Sequence, residues 1–161
     1  INAILGKRKV MESGKESFIS STFWTDGTGP AAGIATLEEM KRIQSWKKIS
    51  QLGNKIKKEW LKISKKHGVK IKVFGINAIP TFSFNHDLNL YLKTYMIQEM
   101  LKKNILVSNA VYCTTEHEKY LKTYLKELDK IFFNIKKILN GGNIFDFLKF
   151  PVGKPGFSRL N

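Results

Sequence analysis

Phe18-Ile19-Ser20-Ser21-Thr22-Phe23-Trp24-Thr25, running through Asp26-Gly27-Thr28-Gly29 into Pro30-Ala31-Ala32-Gly33-Ile34-Ala35-Thr36-Leu37, is the stretch on which the reading of this chain turns. Residues 18–24 are rich in aromatic, β-branched and hydroxyl side chains and read as an extended segment. The Gly- and Asp-rich run after it reads as a turn. Pro30 has no amide hydrogen to lose in a first helical turn, and Thr28 or Gly29 can cap, so a long helix is expected to begin there. Its opening residues Ala31, Ala32, Gly33 and Ala35 are small enough to let a backbone or a ligand approach closely. The Ser20-Ser21-Thr22 run has two readings: hydroxyls and turn amides can hold a phosphate, or they can satisfy their own backbone.

Upstream, Ile1 to Gly6 reads as a strand, Lys7 to Met11 as a short helix and residues 12–16 as a loop. Downstream, Ile43, Trp46, Ile49, Ile56, Trp60 and Ile63 recur at helical spacing and predict one buried stripe, with a break near Gly53 and an end at His67-Gly68. A second regime follows: strands at Val69–Phe74 and Ile79–Phe84, then a helix from Leu88 to Lys103 capped by Asp87. Two short strands, Ile105–Val107 and Val111–Cys113, precede a last helix from about Thr115 to Leu139 that Asn140-Gly141-Gly142 stops. The expected division is residues 1–66, the end of a larger domain with its connecting helices, and residues 67–161, a small α+β domain.

With 161 residues, 42% of them apolar and 25% charged, disorder, collagen-like repetition and a disulfide scaffold are poor fits. A single cysteine, Cys113, cannot close an internal disulfide and reads as a small core residue, which with the absence of a secretory signal points to the cytoplasm. No apolar run is long enough to span a bilayer. The opening at Ile1, already strand-like, suggests an incomplete chain.

The net charge of +15 is concentrated: residues 41–72 hold twelve Lys or Arg against one acid, Glu59. Two readings remain, a solvated lysine face and a polyanion-binding (nucleic-acid) module. The chain has arginine only at Arg8, Arg42 and Arg159, where base readout and phosphate clamps favour it, and no nucleic-acid motif accompanies the patch, so the solvated face is preferred and no nucleic-acid partner is expected. His67, His86 and His117 lack metal-ligand spacing, and no metal site is expected.

The segment quoted first, from Phe18-Ile19-Ser20-Ser21-Thr22-Phe23-Trp24-Thr25 through Gly29-Pro30-Ala31-Ala32-Gly33-Ile34-Ala35-Thr36-Leu37, resembles the class III pyridoxal-phosphate-dependent aminotransferases, and within them the glutamate-1-semialdehyde 2,1-aminomutase branch. Residues 1–11, Ile97-Gln98-Glu99-Met100-Leu101 and residues 151–161 are similar to the corresponding parts of that family. The resemblance implies the C-terminal part of a fold type I enzyme, α/β at the end of the large domain and α+β in the small one, working as a homodimer with pyridoxal 5'-phosphate. By position, Thr22 matches the threonine that reaches the cofactor phosphate of the neighbouring subunit, with Ser21 beside it in the same loop and Ser20 structural. The family's Schiff-base lysine and its acidic partner should lie upstream of Ile1, so no catalytic residue is assigned to this chain. Asn109 falls where the aminomutase branch carries a substrate-facing glutamate, which leaves a plain transaminase at least as well supported as a mutase. His117 resembles a family histidine read here as structural. The remaining possibility is a non-catalytic dimerising partner of an intact enzyme.

Overall fold

The computed structural model describes residues 5–18, 22–23 and 25–153. The chain forms two compact units, Ile1–Ser45 and Trp46–Asn161. The division between them falls a helix earlier than the expected boundary at residue 66.

In the first unit, helix α1 (Arg8–Glu12) runs into a short 3-10 turn over Ser13–Glu16, where a loop was expected. Helix α2 covers Thr28–Ile43 and, as expected, holds Pro30 in its first turn. The strand expected at residues 1–6 falls mostly outside the described residues. No residue of α2 is buried, and Ile34, Leu37 and Met40 expose apolar side chains.

The expected helix break near Gly53 is not there. The break is at Gln44, whose left-handed backbone (φ 50°, ψ 47°) closes α2. Helix α3 then runs unbroken over Ser45–His67. Gly53 serves close packing instead of interruption, because a Cβ there would stand 1.6 Å from the Asn77 carbonyl oxygen. The buried stripe of α3 is Leu52, Ile56, Trp60 and Ile63, whereas Trp46, expected in it, is 46% exposed. Gly68, at φ 69°, ends the helix in the left-handed conformation that glycine adopts without strain.

Strands β1 (Ile71–Phe74) and β2 (Thr81–Phe84) pair antiparallel, Ile71 opposite Phe84 and Phe74 opposite Thr81. The strands expected at 105–107 and 111–113 do not form as regular elements. The Ile105 amide donates a 3.1 Å hydrogen bond back to Met100 O, and the chain beyond it bends at Asn109 and lies beside β2. It is held by a single bridge, Thr81 to Ala110, and by Phe82 N–H to Asn109 O (2.9 Å), Val111 N–H to Pro80 O (3.0 Å) and Cys113 N–H to Ala78 O (3.0 Å).

Helix α4 covers Asn89–Leu101. Asp87 does not cap it: the Leu88 amide donates to His86 Nδ1 (3.1 Å), while Asn89 Oδ1 turns back to accept the Phe84 amide (2.9 Å). The last expected helix divides into a 3-10 stretch, Thr115–Tyr120, and α5, Leu121–Leu139, with Asn140 as its C-cap. Thr114 and His117 form a reciprocal capping box at the entry, so His117 has the structural role expected of it.

The core of the second unit is aromatic at its centre. Trp60 of α3 meets Phe82 of β2 edge-on at 4.8 Å, Phe82 meets Phe84 at 5.4 Å, and Phe84 meets Phe132 of α5 at 5.6 Å. The first two are edge-to-face pairs, which add about 1 kcal/mol each to the free energy of burying the rings, and the third is tilted by 41°. Leu92, Met96 and Met100 of α4, with Leu128 and Ile135 of α5, close the cluster, and Cys113 is buried within it as expected.

Candidate functional site

Thr22 lies in an exposed turn of the first unit, and Ser21 lies outside the described residues. The turn leads to α2 through Asp26, whose carboxylate accepts the Thr28 amide at 2.8 Å. Hydrogen bonds from the Thr28 side chain and amide hold the Asp26 carboxyl below the usual carboxylate range. This stretch therefore carries an exposed threonine and one fixed carboxylate, four residues apart. A threonine hydroxyl with turn amides suits one side of a phosphate group. It does not by itself enclose an anion.

Asn109 lies in the second unit. Its carbonyl oxygen accepts the Phe82 amide, which places it at a bend beside β2, and its Oδ1 accepts the Ser108 hydroxyl at 3.1 Å. The side chain is partly exposed. Thr22 and Asn109 thus belong to different compact units.

Beside Asn109, but not lined by it, is an apolar cavity of about 380 Å³ between α3, the segment 105–112 and the start of α5. Ile56, Val107, Val111 and Leu121 form its apolar wall, with His117, Tyr120 and Tyr124 bringing polar atoms. The Trp60 indole donates to the Tyr124 hydroxyl at 2.9 Å across 64 residues of sequence. Burial pushes the Tyr124 phenol well above its ordinary value, against a smaller opposing effect of the Trp60 bond, and it stays protonated.

Two further sites were not legible in the sequence. His67, buried at the end of α3, pairs through Nε2 with Asp129 Oδ1 of α5 at 2.8 Å, and the Lys66 ammonium bonds the same carboxylate at 2.8 and 2.9 Å. Burial pushes the Asp129 carboxyl up, but the bonds and charges of Lys66 and His67 outweigh it and hold the group below its ordinary value. Nothing local in the sequence links residues 67 and 129. Lys57 reaches across to Gly75 O (2.6 Å) and Asn77 Oδ1 (3.1 Å), pinning the β1–β2 loop.

Of the twelve cations in residues 41–72, Arg42, Lys57, Lys62 and Lys66 are engaged with Glu39, the Gly75–Asn77 loop, Glu59 and Asp129. Burial pushes the Cys113 thiol up, which keeps it an inert core group. Among the described residues no group of three His, Cys, Asp or Glu side chains is placed to hold a metal ion, and no helix is long and apolar enough to cross a membrane.

No protein-family model matches the sequence. The chain is 25% identical, over 146 residues, to the 3-aminobutyryl-CoA aminotransferase of Cloacimonas acidaminovorans (strain Evry), covering 86% of this chain and 35% of that protein. Its structure superposes with a TM-score of 0.74 on the FumI protein of Sphingopyxis sp. MTA144, solved in its PLP internal aldimine form, at 19% identity over 85% of this chain and 34% of FumI. The chain spans about a third of the length of either protein. The fold is therefore that of about a third of FumI, in line with the fold that the resemblance implied, and the sequence similarity is to an aminotransferase. Neither similarity singles out the glutamate-1-semialdehyde aminomutase branch.

Proposed function

We propose that this chain is the C-terminal portion of a pyridoxal-phosphate-dependent class III aminotransferase, which moves an amino group from an amino donor to a keto or aldehyde acceptor in the cytoplasm. The observation that carries the proposal is the 0.74 superposition on a pyridoxal-phosphate protein over 85% of the chain, joined to independent sequence similarity to an aminotransferase. In this reading residues 1–66 are the end of the cofactor-binding domain with its long connecting helices, of which α3 packs into the second unit's core, and residues 67–161 form the small α+β domain. Bound pyridoxal phosphate supplies the electron sink that such a transfer needs.

This chain's own residues bind and orient. The Thr22 hydroxyl donates to the cofactor phosphate across a homodimer interface, and the Ser21 amide or hydroxyl adds a second donor. Asn109, neutral where the aminomutase branch carries a carboxylate, contacts the substrate and favours a plain transaminase over a mutase. The exposed Ile34, Leu37 and Met40 of α2 support burial of that helix against a further portion of the assembly. The Schiff-base lysine belongs to polypeptide outside these 161 residues, so the chain alone is expected to be inactive.

The test is cofactor binding by the complete polypeptide. Thr22→Ala removes a hydrogen bond to a dianion, a loss of about 1.5–3 kcal/mol, so pyridoxal-phosphate affinity should fall roughly ten- to a hundredfold. Unchanged affinity in that variant would remove Thr22 from the site, and no cofactor binding at all would remove the proposal.

A further inference from the structure

Asn140 is the one asparagine of the chain that precedes a glycine. It stands as the C-cap of α5 (φ −90°, ψ 22°), and Gly141 follows at φ 119°, with residues 140–143 all exposed. The Asn140 amide donates to Lys136 O at 3.0 Å. Among the described residues, its carboxamide makes no hydrogen bond and the Gly141 amide donates none. An unheld carboxamide beside an unheld amide, with no side chain on the attacking residue, is the arrangement in which an asparagine reacts with its own backbone.

Among the described residues no other asparagine combines these features. Asn77, Asn89, Asn109 and Asn143 have their Oδ1 atoms occupied, by Lys57, the Phe84 amide, the Ser108 hydroxyl and the Phe145 amide. Asn54 and Asn134 lie inside α3 and α5, where the amide that would attack is tied into the helix. Asn104 precedes the β-branched Ile105, whose amide is bound to Met100 O, and Asn85 precedes His86, whose ring is held over the Leu88 amide. Ring closure at residue 140 needs the Gly141 nitrogen brought onto Cγ. Opposite changes in ψ of Asn140 and φ of Gly141 turn that peptide plane, and glycine accepts the φ that results. The flanks stay in place: the Asn140 amide keeps its bond to Lys136, and Gly142 keeps its close packing on Ile138, whose Cα a Cβ there would approach to 3.0 Å.

We propose that Asn140-Gly141 is a modification site, at which water alone converts the folded chain's asparagine to aspartate and isoaspartate. The Gly141 nitrogen bonds to Cγ, the Cγ–Nδ2 bond breaks, and Nδ2 leaves as ammonia with the proton that the Gly141 amide gives up. Water then opens the cyclic imide. Attack at Cγ leaves an aspartate on the normal chain, and attack at the main-chain carbonyl leaves the chain running through Cβ and Cγ as isoaspartate. One water is consumed and one ammonia released, with no change of oxidation state. The product carboxylate appears beside the recess that Lys65, Lys66, His67 and Lys136 line at the ends of α3 and α5. These neighbours favour the new anion, against the helix C-terminus that opposes it. The site is in the second unit and does not depend on the cofactor contact proposed for Thr22 in the first.

The folded 161-residue chain, aged in mildly alkaline buffer made with heavy-oxygen water, should develop a more acidic band on isoelectric focusing. Peptide mapping by mass spectrometry should place the conversion at residue 140, as two products that each carry the heavy oxygen. It should run about tenfold or more ahead of any other asparagine, a factor equivalent to about 1.4 kcal/mol in barrier. Asn140→Gln, at an exposed position, should leave the far-ultraviolet circular dichroism unchanged and abolish the new band, because the longer side chain closes a less favourable ring. A chain in which residue 140 converts no faster than Asn85 or Asn54, or converts only once urea has unfolded it, overturns the proposal. So does an acidic band that Asn140→Gln leaves in place.

Discussion

Gly53→Ala separates two accounts of α3 by the sign of its effect. If Gly53 were merely a weak point in the helix, alanine would stabilise the chain by about 1 kcal/mol through helix propensity. The structure requires the opposite. A Cβ at residue 53 would lie 1.6 Å from Asn77 O and 2.7 Å from Asn77 C, so helix and loop would have to separate by about 1.4 Å to reach 3.0 Å, the shortest approach that real Cβ atoms make. The obstacle is backbone, not the far end of a flexible side chain. The loop it would displace is held by the two Lys57 bonds and by the Cys113 amide on Ala78 O. Overpacking of this kind costs about 1–3 kcal/mol, and loss of a loop bond about 1 kcal/mol more. Net of the propensity gain, destabilisation of about 2 kcal/mol is expected. With a urea m-value of roughly 1.5 kcal/mol/M, the unfolding midpoint should fall by somewhat more than 1 M. Gly68→Ala is the control: a Cβ there meets nothing within 4 Å, and only the φ of 69° is penalised, by about 1 kcal/mol. A Gly53→Ala chain as stable as wild type, or more stable, would refute the close approach of α3 to the 75–79 loop.

Three other outcomes can be checked directly. Tyr124→Phe leaves the Trp60 indole N–H without its acceptor at a fully buried ring, and should cost about 1–3 kcal/mol in urea unfolding. Asp129 has a folded-state pKa below its unfolded value, so its contribution is present above the unfolded pKa and is lost as pH falls through the folded one; Asp129→Asn should flatten the acid limb of the stability curve below about pH 4. If the lysine face of residues 41–72 is merely solvated, heparin or single-stranded DNA should show no binding that survives physiological salt; tight binding with a steep salt slope would instead favour the polyanion module.

What the sequence determined by itself is local or written in a recognisable stretch. Helix periodicity, the stop at His67-Gly68, the start of α2 around Pro30 and the burial of Cys113 follow from short-range chemistry, and the resemblance through Thr22 led to the fold that the superposition shows. Tertiary structure decided the rest because it depends on residues far apart in the chain. Gly53 looked like a breaker until Asn77 was brought against it, and Trp46 matched the stripe by spacing yet stays outside the core. The residues 105–113 have strand composition, but Ile105 is drawn back to Met100, residues 106–108 make no backbone bond to β2 and the chain bends at Asn109, so only the single Thr81–Ala110 bridge forms. His67 and Asp129, 62 residues apart, and Trp60 and Tyr124, 64 apart, become pairs only when α3 and α5 pack together, since hydrogen bonding depends on distance in space and carries no mark in the order of residues.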